Sequence, residues 1–180
     1  MLKKHNTVKV CFFLAVVALF VLLPFMFAGT QTGAEAAKVR EKTAMASWTK
    51  CTANNICVDT VIIGTDPGGR KPLSFEETTY NRKNGKVISR RGGFAKNVHF
   101  KQDGLKKASV DAPVKVDRCN AQDVCKKAGT VQVTASWTGK GNTWVDRELG
   151  KRLRNAKVEG FVDGKKPGSL QHALLTEDIR

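Results

Sequence analysis

Cys51-Thr52-Ala53-Asn54-Asn55-Ile56-Cys57 returns, position by position, as Cys119-Asn120-Ala121-Gln122-Asp123-Val124-Cys125. Each time two cysteines enclose an Ala, an Asn or Gln, an Asn or Asp, and a final β-branched residue. The flanking sequence alternates apolar and polar residues at period two, the mark of half-buried strands. Ala44, Ala46 and Trp48 share a face before the first pair, and Val131, Val133, Ala135 and Trp137 share one after the second. Each pair reads as a β-hairpin clamped by a local disulfide, because a hairpin holds such neighbours within bridging distance. Cys51–Cys57 and Cys119–Cys125 are the expected bonds, with a crossed arrangement between the pairs as the alternative.

Working outward, the rest of the chain after residue 36 also reads as short strands between turns. Val58 to Ile63 and Leu73 to Tyr80 are strands, with Asp66-Pro67-Gly68-Gly69 between them as a turn. Asn84-Gly85 signals a type I′ hairpin into Lys86 to Arg90. Gly92-Gly93 is expected to break the chain before a strand over Phe94 to Lys101, where Phe94, Val98 and Phe100 share a face. Lys106 to Ala112 reads as a connector, Pro113 as an edge position or a strand start, and Gly139 to Asn142 as a loop. Arg154 to Gly164 alternates again, and the tail from Ser169 fits either a short helix or a closing strand. This pattern predicts an all-β fold: an antiparallel β-sandwich or barrel-like sheet with two cysteine-clamped hairpins. Ala46-Ser47-Trp48-Thr49 recurs as Ala135-Ser136-Trp137-Thr138, which raises two related halves, 43–104 and 113–164, within one domain over 37–180.

Residues 1–36 have the form of a signal peptide. Lys3, Lys4 and Lys9 make a basic start, Val10 to Ala28 is an unbroken apolar run, and Ala34-Glu35-Ala36 is a cleavage signal. Retained, the same run of residues 10–28 would serve as a membrane anchor, the chain's one route into a bilayer. Both readings place the domain outside the cytoplasm, secreted or at the cell surface or periplasm, where paired cysteines oxidise. The absence of any Asn-x-Ser/Thr sequon fits a bacterial chain. Zinc is set aside, because metal-binding cysteine pairs are more closely spaced and exported chains oxidise theirs.

Little in the sequence points to catalysis. There is no nucleophile elbow, and oxidised cysteines leave no thiol to attack. Glu76 and Glu77 are neighbours on a strand, so they face opposite ways and cannot converge on one bond. An enzyme would have to work with His99, His172, Glu148 and Glu159. Gly64 to Lys71 departs from a phosphate loop at both key positions, calcium-loop spacing is missing, and no cofactor is implied. Setting aside residues 1–36 leaves 28 basic against 15 acidic residues, a net charge of +13. Such a field favours an anionic polymer or an acidic partner protein at the cell surface. No nucleic-acid-binding signature accompanies it. The densest basic stretch suggests a binding face of Arg82, Lys83, Lys86, Arg90, Arg91, Lys96 and Lys101. Trp144, flanked by Asn142-Thr143 and Asp146, is placed in a loop, able to stack on a sugar ring or a base. Reversing Arg90 and Arg91 is then expected to abolish binding. The alternative function is a secreted inhibitor or toxin-like effector presenting the loop Thr52 to Ile56 to a protein target.

Overall fold

The structure is a computed structural model that describes residues 40–68 and 71–179; the expected signal segment lies outside these residues. It contains nine strands in the order β1 (Lys42–Cys51), β2 (Ile56–Asp66), β3 (Leu73–Asn81), β4 (Val87–Ala95), β5 (His99–Asp103), β6 (Lys107–Asn120), β7 (Cys125–Asp146), β8 (Lys151–Val162) and β9 (Ser169–Asp178). No helix occurs among the described residues. The tail from Ser169 is therefore the closing strand, paired with both β1 and β8.

All ladders are antiparallel, and chain neighbours are sheet neighbours. Pairing of β4 with β6 joins the two ends of the sheet, giving a ring of eight strands with β5 as an annex along β6. Of the two architectures expected, the sheet takes the barrel. Closure removes the exposed edges that an open sheet would present.

Alternation explains which side chains fill the lumen. Ala44, Ala46 and Trp48 of β1 face Gly64, Ile62 and Thr60 of β2, and Phe75 of β3 stands beside Ile62. Across the barrel, β6 contributes Ala108, Val110, Ala112, Val114 and Val116, all buried, while its intervening residues are exposed. Trp48 and Trp137, at 4% and 1% exposure, are core residues as their alternation implied. The Trp137 indole donates to the Met45 carbonyl at 3.0 Å, linking β7 to β1. Gly160 lies under Trp48, where a Cβ would sit 2.6 Å from the indole. This contact matters because the β8–β9 ladder stops at Asn155–Leu174, and beyond that point Trp48 lies against β8.

Several local expectations change. Gly92-Gly93 does not break the chain but lies within β4, where β4 pairs with β3 on one side and β6 on the other. The break comes later, at Asn97 with φ 58°, so Phe94 points out at 50% exposure while Phe100 is buried. The supposed connector from Lys106 belongs almost wholly to β6. Pro113 is not a strand start but takes the edge position it also suits, inside β6 in the gap between the β4 and β5 ladders. There, β6 has a partner only in β7, so the missing N–H costs no bond on the open side. Gly139 to Asn142 is a bulge inside the long β7 rather than a loop. At Asn84-Gly85 only the glycine has positive φ, so the turn is not type I′.

The annex β5 closes one end of the lumen. The Phe100 ring occupies the space a Gly64 side chain would need. Gln102 reaches across to donate to the Thr176 carbonyl of β9 at 3.0 Å. The opposite end carries both cysteine loops.

Candidate functional site: the basic rim at the disulfide end

Both disulfides join direct register partners, Cys51 with Cys57 and Cys119 with Cys125, at Cα separations of 4.0 and 3.9 Å. The two loops share one backbone. Thr52 N–H donates to the Ile56 carbonyl at 2.9 Å, and Asn120 N–H to the Val124 carbonyl at 3.1 Å. Asn55 N–H donates to Thr52, and Asp123 N–H to Asn120, in the same relation. Asn55 and Asp123 both adopt positive φ, 60° and 58°. Asn and Asp are the side-chain-bearing residues most tolerant of that region. The sequence likeness between the loops thus encodes a likeness of shape.

In an up-and-down ring alternate turns fall at the same end. The β1–β2 loop, the β3–β4 turn, the β6–β7 loop and the β8–β9 turn accordingly lie together, tied by bonds between them. Arg82 N–H donates to the Asn55 carbonyl at 2.8 Å, binding the β3–β4 turn to the first cysteine loop. The Arg90 guanidinium meets Asp123 of the second loop at 2.9 Å. This rim carries exposed Lys50, Arg82, Lys83, Lys86, Arg118, Lys126, Lys127, Lys165 and Lys166. Its acids are fewer. Asp123 holds Arg90, Asp163 accepts the Gln132 N–H at 2.9 Å, and Asp117 lies outward on β6. The result is a crown of like charge around the mouth of the barrel.

Of the residues singled out from sequence, Arg82, Lys83 and Lys86 stand on this crown. Arg90 and Arg91 point to opposite faces of β4. Arg91 enters the lumen and pairs with Glu77 at 2.6 Å, lying 5.7 Å over the Phe75 ring. Lys96 and Lys101 are exposed on the β4–β5 connection and β5, toward the other end. Trp144 is on strand β7, not in a loop; it is opposite Leu153 and 41% exposed, also far from the crown. The structure therefore does not gather these residues on one face. Arg118, Lys126, Lys127, Lys165 and Lys166 join instead, drawn from separate turns of the sequence. The signal that finds them is the parity of turns along a closed meander.

Beneath the first loop, the Asp59 carboxylate accepts Thr49 Oγ1 at 2.6 Å and the Tyr80 hydroxyl at 3.4 Å. Burial, and then the Asp59 charge, lift the Tyr80 phenol above the usual tyrosine range. A raised phenol favours the protonated fold, so its contribution to stability holds below the unfolded value and disappears as pH rises through the folded one. Tyr80 is the sole tyrosine of the chain. An ultraviolet pH titration should show one phenol ionising above the free amino acid, and Asp59→Asn should move it down. A midpoint at the free value would contradict the packing.

At the far end a cleft of about 260 Å³ is lined by Asp103 to Lys106, Thr143, Arg152, Arg154 and Glu177. Its two arginines and Glu177 are engaged within the fold. Arg152 pairs with Glu177 at 3.1 Å, and Arg154 Nε donates to the Gly141 carbonyl at 2.9 Å. His99, His172, Glu148 and Glu159 sit on β5, β9, the β7–β8 turn and β8, without convergence. No group of three or more His, Cys, Asp or Glu suited to a metal occurs among the described residues. Comparison with protein-family models, with curated proteins and with solved structures gave no match for this chain.

Proposed function

We propose that this protein is an exported, non-enzymatic binding module that engages an anionic polymer through the basic rim at its disulfide end. Residues 1–36 direct export, and the two disulfides suit the oxidising space outside the cytoplasm. The observation that carries the reading is the convergence, on one end of a closed barrel, of exposed cations from turns and the strand ends beside them. Each exposed cation there is worth little alone, but a polymer engages many at once.

The test is binding of polygalacturonate and of polyphosphate by the protein at low and high salt. Lys83→Glu with Lys86→Glu, or Lys126→Glu with Lys127→Glu, should lower affinity about tenfold or more, and salt should do the same. Lys96→Glu with Lys101→Glu, toward the opposite end, should change affinity less than about twofold. Arg90 and Arg91 are poor positions for such a test, because their reversal also breaks the pairs with Asp123 and Glu77. Binding indifferent to salt, or equal sensitivity at both ends, would reject the rim. The second reading, a loop-presenting inhibitor, is favoured by the shared backbone of the cysteine loops and by Val124, 58% exposed at one of them. Under that reading Val124→Asp abolishes capture of a protein target while salt has little effect.

A further inference from the structure

The cleft at the far end lies between the β5–β6 turn, which supplies Asp103 and Lys106, and the β7–β8 hairpin, which supplies Thr143, Arg152 and Arg154. Glu177 of β9 stands beside Arg152 as its register partner. Ladder parity explains the strand side. Leu175 is buried in the lumen, so Glu177, two residues on, faces the same way, and so do their partners Arg154 and Arg152. These side chains converge where the barrel opens beside its cap. The space between them, about 260 Å³, is the volume of roughly nine waters.

We propose that this cleft binds a free acidic amino acid, a ligand with two carboxylates and one ammonium. The site is separate from the basic rim and does not depend on that reading. Charge selects the ligand. Arg152 and Glu177 satisfy each other through Nη1 and Oε1 at 3.1 Å, which leaves Arg154 and Lys106 against Asp103. Arg154 is held by neutral groups alone: Nε donates to the Gly141 carbonyl at 2.9 Å and Nη1 to the Leu105 carbonyl at 3.5 Å. Its stem packs over Gly139, where a Cβ would come within 3.0 Å of Cδ. A guanidinium carries five N–H donors, so this one is fixed in place while Nη2 remains to donate and its charge stays uncompensated. The Asp103 carboxylate, the Lys106 ammonium and the Thr143 hydroxyl have no hydrogen bond or ion pair among the described residues.

Two cations and one carboxylate complement a ligand of the opposite pattern. Its carboxylates meet Arg154 and Lys106 through charge-assisted hydrogen bonds, its ammonium meets Asp103, and the Thr143 hydroxyl bonds an oxygen. A simple dianion brings no cation to Asp103 and is repelled by it. A simple amine faces three basic side chains, and a neutral sugar leaves every free charge without a partner. Aspartate and glutamate, with about nine or ten non-hydrogen atoms, match the water they displace. The groups given a role are open to a ligand: Asp103, Lys106 and Thr143 are exposed, and Arg154 is half-buried.

The experiment is calorimetric titration of the protein with aspartate and glutamate. Succinate and glutarate, which lack the ammonium, and β-alanine and γ-aminobutyrate, which lack one carboxylate, are titrated beside them. An acidic amino acid should bind, and its truncated analogues should bind at least about tenfold more weakly. Asp103→Asn should lower affinity for the amino acid about tenfold and bring it level with the diacid. Lys106→Gln should weaken amino acid and diacid alike, about fivefold. Neither side chain bonds within the fold, so both variants should keep the wild-type Tm. Lys83→Glu with Lys86→Glu, at the opposite end, should leave this binding within about twofold while lowering polymer binding. If neither amino acid binds up to about 10 mM, if Asp103→Asn keeps the preference over the diacid, or if the rim variant abolishes binding, the cleft assignment is wrong, whatever the polymers do at the rim.

Discussion

Gly93→Ala should be among the most damaging single substitutions in this protein, costing about 4 kcal/mol or more, at the extreme of the usual range. A Cβ at this position overlaps the Lys115 carbonyl oxygen and comes within 2.9 Å of its carbon. Both are backbone atoms, so no rotamer change can relieve the clash. The strand itself must withdraw, and it is the strand that closes the ring: Ser89 to Gly93 pair with Asn120 to Val116. Withdrawal exposes two edges and releases the Arg90–Asp123 pair that ties β4 to the second cysteine loop. The neighbouring Gly92→Ala is the control. Its Cβ would sit 3.0 Å from the Phe75 carbonyl oxygen, a tight contact that a small shift relieves. Denaturant unfolding of both variants checks the idea, and equal costs would show that β4–β6 closure does not depend on Gly93.

Trp137→Ala should cost about 3–5 kcal/mol, as expected for truncating a fully enclosed indole. Trp137 is among the largest fully buried side chains, and its N–H bond to Met45 joins strands that are not neighbours in the ring. Trp137→Phe keeps most of the packing and loses the bond, so about 1–2 kcal/mol is expected. Trp144→Ala, by contrast, should cost much less, about 1 kcal/mol, since that ring is 41% exposed. If Trp137 and Trp144 truncations cost the same, the inward assignment of β7 fails.

Where local reading went astray, the cause was a neighbour distant in sequence. Gly92-Gly93 carries every local mark of a break, yet β4 runs through it because β6 approaches too closely to admit a side chain. Pro113 suits an edge or a strand start, and only the ladders show which: it sits mid-strand at a local edge, where β4 has left β6 and β5 has not yet joined. Arg90 and Arg91 look like one basic patch, yet strand pleat sends one to Asp123 and the other to Glu77. The likeness of the cysteine loops was plain in the sequence. That each joins the first and second strands of a run of four, β1–β4 and β6–β9, became visible only in the closed ring.

The sequence alone determined the strands with clean alternation, the two clamped hairpins and the inward Trp48 and Trp137. These follow from period-two burial and short loop closure, which act between residues close along the chain. Tertiary structure alone decided that the sheet closes, that β5 caps one end, and that separate turns and strand ends form one basic crown at the other. It also brought Asp103 and Lys106 of one turn beside Thr143, Arg152 and Arg154 of a later hairpin. Such groupings depend on ladder register and ring closure, which sum contacts over the whole chain and leave no trace in any short stretch of it.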